Sequence, residues 1–266
     1  QIICSEYGFS LIHNIRTQNY AGALNTAVEE IVKQNGIQDD IYFASLDDDD
    51  EWLPDYLGEI ENQNNKNFDL LVGSYLRLSE DENQLMVLPD QLSSKDFLTG
   101  NPGIGGSNTF IRLKTLLKTG SFDEALTASV DRDFFVRVFQ QTPSYQIINK
   151  HLVTAHTEKN RERLTINFKA KTESFQIFYY KYQHLMDEEE KTKFFERANN
   201  YFSISRSEIE IKKTKSPPLQ QQAIQFGVKG DYQFVIGFIA GNEIIAERIA
   251  KQIIDRSISV DLVLII

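Results

Sequence analysis

Cysteine is almost missing from this chain. With Cys4 alone among 266 residues, neither a disulfide nor a thiolate zinc site can assemble within one molecule, and a reducing cytoplasm is the expected setting. Basic charge is also short: 28 Lys and Arg stand against 38 Asp and Glu, a formal net charge of −10 with a pI near 5.0. So acidic a chain offers no broad basic face to release phosphate counterions, which argues against a nucleic-acid partner. No apolar run approaches the roughly 18 residues of a membrane span, so membrane contact, if any, is expected to be peripheral. Gln1 opens no signal-peptide pattern. What remains is ordinary globular material, 41% hydrophobic and 25% charged, enough for one large domain or one and a half.

Against that background one stretch stands out. In Ile41-Tyr-Phe-Ala-Ser-Leu-Asp47-Asp48-Asp49-Asp50-Glu51-Trp52-Leu53-Pro54 an apolar run of strand type empties into a block of carboxylates. Pro54 and the apolar spacing through Leu57 and Ile60 then predict a helix start. The acids are thus expected at the C-terminal end of a strand, the edge where open α/β sheets bind ligands and where carboxylates can share Mg²⁺ or Mn²⁺ with phosphates. A solvated acidic turn capping the next helix is the alternative. An EF-hand loop is excluded, because counting from Asp47 puts Trp52 where Gly is needed and Gly58 where the bidentate Glu is needed.

Elsewhere the pattern alternates strand and helix. Residues 1–14 read as strand-like pieces, and Asn19 to Val32 as a helix whose Ala21, Gly22, Ala23 and Ala27 allow close packing. A polar turn follows at 62–67 and a strand at Phe68 to Leu78. That order predicts an α/β sheet with crossover helices. Gly100, Gly103, Gly105 and Gly106 mark a loop before a short strand, with no Gly-Lys-Ser/Thr of a phosphate-binding loop after it; Asn101, Ser107 and Asn108 supply polar groups there. Leu113 to Lys118 reads as a helix stopped by Gly120. Asp131 stands at the expected N-terminus of another helix, where a cap is the plain reading. Thr165 to Asn200 reads as a helical hairpin, and Lys212 to Pro218 as a linker.

Three segments in this order resemble the family 2 glycosyltransferases of the GT-A fold, over roughly residues 10–185. RTQNYAGALNTAV is similar to the family's small-residue helix ending in Asn, FASLDDDDEWLPDYL to its DxD element, and GSNTFIRLKTLLKTGSFDEALTASVDRDFFVRVF to its acceptor-side block. The resemblance implies a mixed, mostly parallel α/β sheet with flanking helices and a C-terminal helical extension. It implies a metal-dependent inverting transfer of a sugar from a nucleotide-diphosphate donor of UDP or GDP type to a saccharide or glycoconjugate hydroxyl. By the same resemblance Asp131 is the catalytic base, Asn25, Asp47 and Asp48 face the donor, and Asp49 and Asp47 hold Mn²⁺ or Mg²⁺, with His156 as a candidate third contact. Trp52, Gly106, Ser107 and Asn108 fall on the acceptor side, with a packed aromatic as the equal reading of Trp52; Arg161 and Arg163 are candidates for the donor phosphates, with a solvated basic loop as the plainer reading. Val130 departs from the family's Glu-Asp pair. That departure keeps a catalytically silent sugar-binding or partner-binding module as the alternative.

The family's first strand–helix–strand unit is expected to be missing before residue 1. Residues 1–211 are read as an N-terminally incomplete GT-A domain with a helical extension from about 165, followed by a linker over 212–231. Residues 232–266 repeat the missing strand–helix–strand pattern. They are read as the start of a second such domain in tandem, with completion of the first domain by fold-back as the other arrangement.

Overall fold

In a computed structural model of the protein, the described residues are 10–37, 41–64, 67–79, 83–156, 168–211, 234–238 and 262–265. The chain runs through β1 (Ser10–Leu11), α1 (Tyr20–Asn35), β2 (Tyr42–Leu46), β3 (Asp50–Trp52), α2 (Tyr56–Asn64), β4 (Leu70–Leu78) and β5 (Gln84–Met86). It continues through α3 (Ser94–Thr99), β6 (Thr109–Arg112), α4 (Leu113–Thr119), α5 (Val130–Gln140) and β7 (Tyr145–His156). Helices α6 (Phe168–Tyr182), α7 (Glu188–Phe202) and α8 (Arg206–Ile209) follow, and then β8 (Phe234–Phe238) and β9 (Leu262–Ile265).

The apolar run before the acids becomes β2, buried along its whole length. Its residues alternate between two cores, as a pleated strand covered on both faces must. Tyr42, Ala44 and Leu46 pack with Trp52, Tyr56, Ile60, Phe110 and Leu152 on the side covered by α2. Phe43 points the other way, into the larger core built from α1, α3, α4, α5 and the α6–α7 hairpin. Asn19 starts α1 by accepting from the Gly22 N–H at 2.8 Å, a side-chain cap of the kind helix starts favour.

The strands form one sheet in the order β1-β9-β8-β2-β6-β4-β7-β3, with β5 beside β4. The pairs β1–β9, β8–β9, β2–β8 and β4–β7 are parallel, and β2–β6, β4–β6, β4–β5 and β3–β7 are antiparallel. The expected α/β class with a mixed sheet and flanking helices holds, parallel and antiparallel pairs both occurring among the described strands. The strand at 145–156 carries too little alternation to be read from sequence, yet it pairs with β4 and with β3.

Residues 234–238 align with 42–46 in parallel register, Ala44 opposite Ile236, and residues 262–265 lie between β8 and β1. The linker expected over 212–231 lies outside the described residues. So do Arg161 and Arg163.

The helical hairpin is held by aromatic packing: Phe178 stacks with Phe194 at 6.0 Å, and Tyr179 lies 4.9 Å from Phe195. Its α7 starts with a reciprocal cap between Asp187 and Glu190. Among the described residues no helix is long and apolar enough to cross a membrane.

Candidate active site

The end of β2 aims its backbone into the acidic block, which folds as a tight turn: the Asp50 N–H donates to the Asp47 carbonyl at 3.0 Å. Strand β3 then runs antiparallel to the end of β7, with Asp50 opposite Ala155 and Trp52 opposite Val153. The His156 N–H closes the ladder by donating to the Asp49 carbonyl at 3.1 Å. One carboxylate oxygen each from Asp47, Asp49 and Asp50 lie within 4.8 Å of one another. Three half-buried hard oxygen donors at this spacing fit a divalent cation such as Mg²⁺ or Mn²⁺. Asp50 is the member that counting by the DxD spacing misses. The His156 ring instead lies 3.8 Å from the Glu51 carboxylate, beside the group rather than in it, and Asp48 is likewise outside it.

Ser107 holds both ends of this turn. Its hydroxyl accepts from the Asp47 N–H at 3.0 Å, and its carbonyl accepts from the Trp52 indole N–H at 2.6 Å. The Trp52 ring is 2% exposed and packs against Tyr56 and Phe110 at 5.4 and 5.5 Å. It is a core residue, so it does not floor an acceptor site. Asn108 is also a brace: its amide donates to the Gly73 and Gly103 carbonyls and accepts from the Gly105 N–H.

Asn25 behaves similarly. Its amide nitrogen donates to the Phe122 carbonyl at 2.9 Å and to Glu124 at 2.8 Å, while its oxygen accepts from the Phe122 N–H at 3.0 Å. With those bonds made and only 6% of the residue exposed, it orders the Phe-Asp-Glu turn instead of facing a donor. Glu124 in turn accepts from Thr17 and pairs with Arg16. These bonds outweigh the cost of its burial and hold its carboxyl down at about 2.

Asp131 sits at the second position of α5, but it is not the cap. The N-cap is Ser129, in a left-handed conformation with φ 60° and no side-chain cap bond. Among the described residues no hydrogen bond or ion pair reaches the Asp131 carboxylate. It lines a cavity of about 20 Å³ with Leu24, Phe43, Phe122, Phe134 and Phe135, together with Ser45 and Gly106, roughly the space of one water. Burial against this apolar wall, and then the charge of Asp47, push its carboxyl up to about 7. Asp47 is itself raised to about 6, by burial first and by Asp49 and Asp48 in addition, while the Tyr20 hydroxyl, donating at 3.0 Å, pulls the other way.

Tyr20, Ser45 and Gly106 form the seam between these two acids. A Cβ on Gly106 would stand 2.4 Å from the Ser45 hydroxyl and 2.9 Å from the Tyr20 hydroxyl, so any other residue would push these hydroxyls aside. Neither Tyr20 nor Ser45 carries a sequence signal beyond its place in a helix or strand. Asp133, two residues further along α5, contributes little to the rise at Asp131. Arg137 binds it at 2.8 Å and Lys181 at 2.6 Å, so its charge is largely compensated.

Residues 1–118 match the family model described as glycosyl transferase family 2. The match takes in 118 of the 266 residues, and over that segment the chain is similar to this family. The matched segment spans α1, the acidic turn and the Gly106–Asn108 block, and Asp131 of α5 lies outside it. The mixed sheet with flanking helices is the GT-A fold of that family. The chain is also similar to the crystal structure of S. aureus TarS, at 14% identity and a TM-score of 0.43. That alignment covers 71% of this chain and 32% of the other, so this chain spans about a third of it. No curated protein sequence matches the chain.

Proposed function

We propose that this chain is the catalytic part of an inverting, metal-dependent glycosyltransferase that moves a sugar from a nucleotide-diphosphate donor to an acceptor hydroxyl. The match of residues 1–118 to the family 2 model supports the reaction class, and one observation carries the rest. An unpaired carboxylate with its pKa near 7 faces a cluster of three acids across a glycine seam.

In this reading Asp131 takes the proton of the acceptor hydroxyl as that oxygen bonds to the anomeric carbon and the bond to the diphosphate breaks. A carboxyl raised to about 7 is a far better base near neutral pH than one at its ordinary value. Asp47, Asp49 and Asp50 are the residues that would hold Mn²⁺ or Mg²⁺. The cation supplies positive charge against what builds on the leaving diphosphate. Tyr20 keeps one Asp47 oxygen engaged, and Gly106 keeps the seam open. His156 and Asp48 stand close enough to the turn to take part in donor contact.

The two C-terminal strands belong to this proposal as well. Parallel pairing of β8 on β2 supports the fold-back arrangement, in which residues 234–265 complete the sheet beside the acids and help build the donor side. A silent binding module draws support from Val130, 5% exposed, which puts a buried methyl pair beside the base where many family members carry an acid.

Calorimetry with UDP and GDP in the presence of Mn²⁺ tests these readings, on the whole chain, on its Asp49→Ala variant and on a chain ended at Ile211. Mn²⁺-dependent binding that Asp49→Ala abolishes is expected. Loss of binding in the shortened chain, with its helices intact, supports fold-back. Binding without any hydrolysis or transfer from the nucleotide sugar would favour the silent module.

A further inference from the structure

A second charged cluster lies on the other side of α5, and it is cationic. Arg132 follows Asp131 in the chain and is only 6% exposed. Its guanidinium donates to the carbonyls of Phe97 and Leu98, at 3.2 and 2.9 Å, in the last turn of α3. It also lies 4.3 Å from the ring centre of Phe178. Lys171, in the first turn of α6, is 7% exposed, and its ammonium lies 4.5 Å over the Phe202 ring. Arg197 of α7 places its guanidinium 5.2 Å from the Tyr201 ring, and its Nε is buried with no hydrogen-bond partner. Phe175 and Phe194 join the group: Arg132 lies 5.9 and 5.8 Å from their rings, and Phe175 is 5.5 Å from Phe202.

Among the described residues, no acid pairs with any of these three cations. That is unusual in a chain with ten more acids than bases. Buried charge is costly unless paired, and like charges in proximity add to the cost. Burial, followed by the charge of its neighbours, lowers Lys171 to about 8 and Arg132 to about 9. Arg132 has its carbonyls and its aromatic face. Among the described residues Lys171 has only a ring, and the Arg197 Nε has no hydrogen-bond partner. A tetrahedral oxyanion has the charge and the several acceptor atoms that this arrangement lacks.

We propose that Lys171, Arg197 and Arg132 form a binding site for a phosphate-class oxyanion, either free phosphate or a phosphate group within a larger molecule. The glycine loop connects it to the acids. The Arg197 guanidinium lies 3.7 Å from where a Cβ on Gly100 would stand, and the Asp131 carboxylate 3.9 Å from the corresponding point on Gly105. A phosphate group bound by a larger molecule would therefore sit at the far end of the loop that borders the base. The site stands whether or not the transferase reading does.

The test is isothermal titration of the whole chain with inorganic phosphate and, separately, with dimethyl phosphate, each against chloride at matched ionic strength. Lys171→Met and Arg197→Met are expected to weaken phosphate binding by at least about tenfold each, the scale of one lost charge-assisted bond. Arg206→Met, at an exposed pair with Glu210, should leave it unchanged. Uptake of the diester as well as the free ion assigns the site to a group on a larger molecule, and uptake of the free ion alone assigns it to phosphate. Absence of phosphate binding overturns the proposal, as does binding that both variants retain. If a variant fails to fold, carbon NMR of the lysine side chains in the unmodified chain decides: phosphate must raise the Lys171 pKa from about 8, and no movement overturns the site.

Discussion

Asp131 and Asp133 lie two residues apart in the first turn of one helix, and they have opposite fates. Asp133 is fully buried, yet Arg137, Lys181 and the Tyr182 hydroxyl surround it and hold its carboxyl below the ordinary range despite the burial. Asp131 is less buried, meets aromatic walls and another acid, and rises to about 7. Burial alone therefore does not decide ionisation. What decides it is whether the fold supplies a counter-charge. Asp133 is the anchor of the turn, tying α5 to α6 through Lys181, which also binds Asp123 at 2.8 Å. Asp131 is left reactive on the anchored turn.

The largest effect should come from removing the reactive member. Asp131→Asn is expected to reduce sugar transfer by about 10²- to 10⁴-fold while leaving the thermal midpoint unchanged or higher, since no ion pair is lost. A midpoint that falls would mean that Asp131 is structural after all. Asp133→Asn should do the reverse. It leaves Arg137 without its carboxylate and Lys181 with Asp123 in place of two acids, and should cost about 3–5 kcal/mol of stability, measured by urea unfolding, with part recovered in the double variant with Lys181→Met.

The two residues should also separate by pH. Asp131 is raised above its unfolded value, so between about pH 4 and 7 the folded state binds more protons and stability falls as pH rises. Asp133 is depressed, so its contribution is present above its unfolded pKa and is lost as pH falls through the folded one. Unfolding series across this range should therefore show the fall toward pH 7 flattened in Asp131→Asn and retained in the unmodified chain. The smallest effect is expected from Tyr20→Phe, which removes the donor to Asp47. It should raise the Asp47 carboxyl further, followed by carbon NMR, and cost roughly 1 kcal/mol or less.

The acidic turn was legible because an apolar strand emptying into carboxylates is a local pattern. Asp131 was singled out through the family resemblance, since its residue pattern alone reads as a helix cap. The roles of Asn25, Ser107, Asn108 and Trp52 were not legible, because a polar side chain in sequence does not reveal whether it meets a ligand or a backbone group far along the chain. The Asn25 amide reaches residues 97 and 99 positions away. Asp50 was passed over because a turn-and-strand geometry, with β7 as partner, decides which acids converge. The Lys171–Arg197–Arg132 cluster was hidden for a different reason. On an amphipathic helix rich in charge, a buried lysine is written with the same letter as a solvated one.

The Ser107 contacts have a consequence for how a cation would be received. With the hydroxyl holding the Asp47 N–H and the carbonyl holding the Trp52 indole, the acidic turn has its shape before any ion arrives, so the ordering cost falls on folding rather than on capture. A frame of that kind admits ions by radius. It should tolerate a swap between cations of similar size and resist one that needs the three carboxylates to move apart.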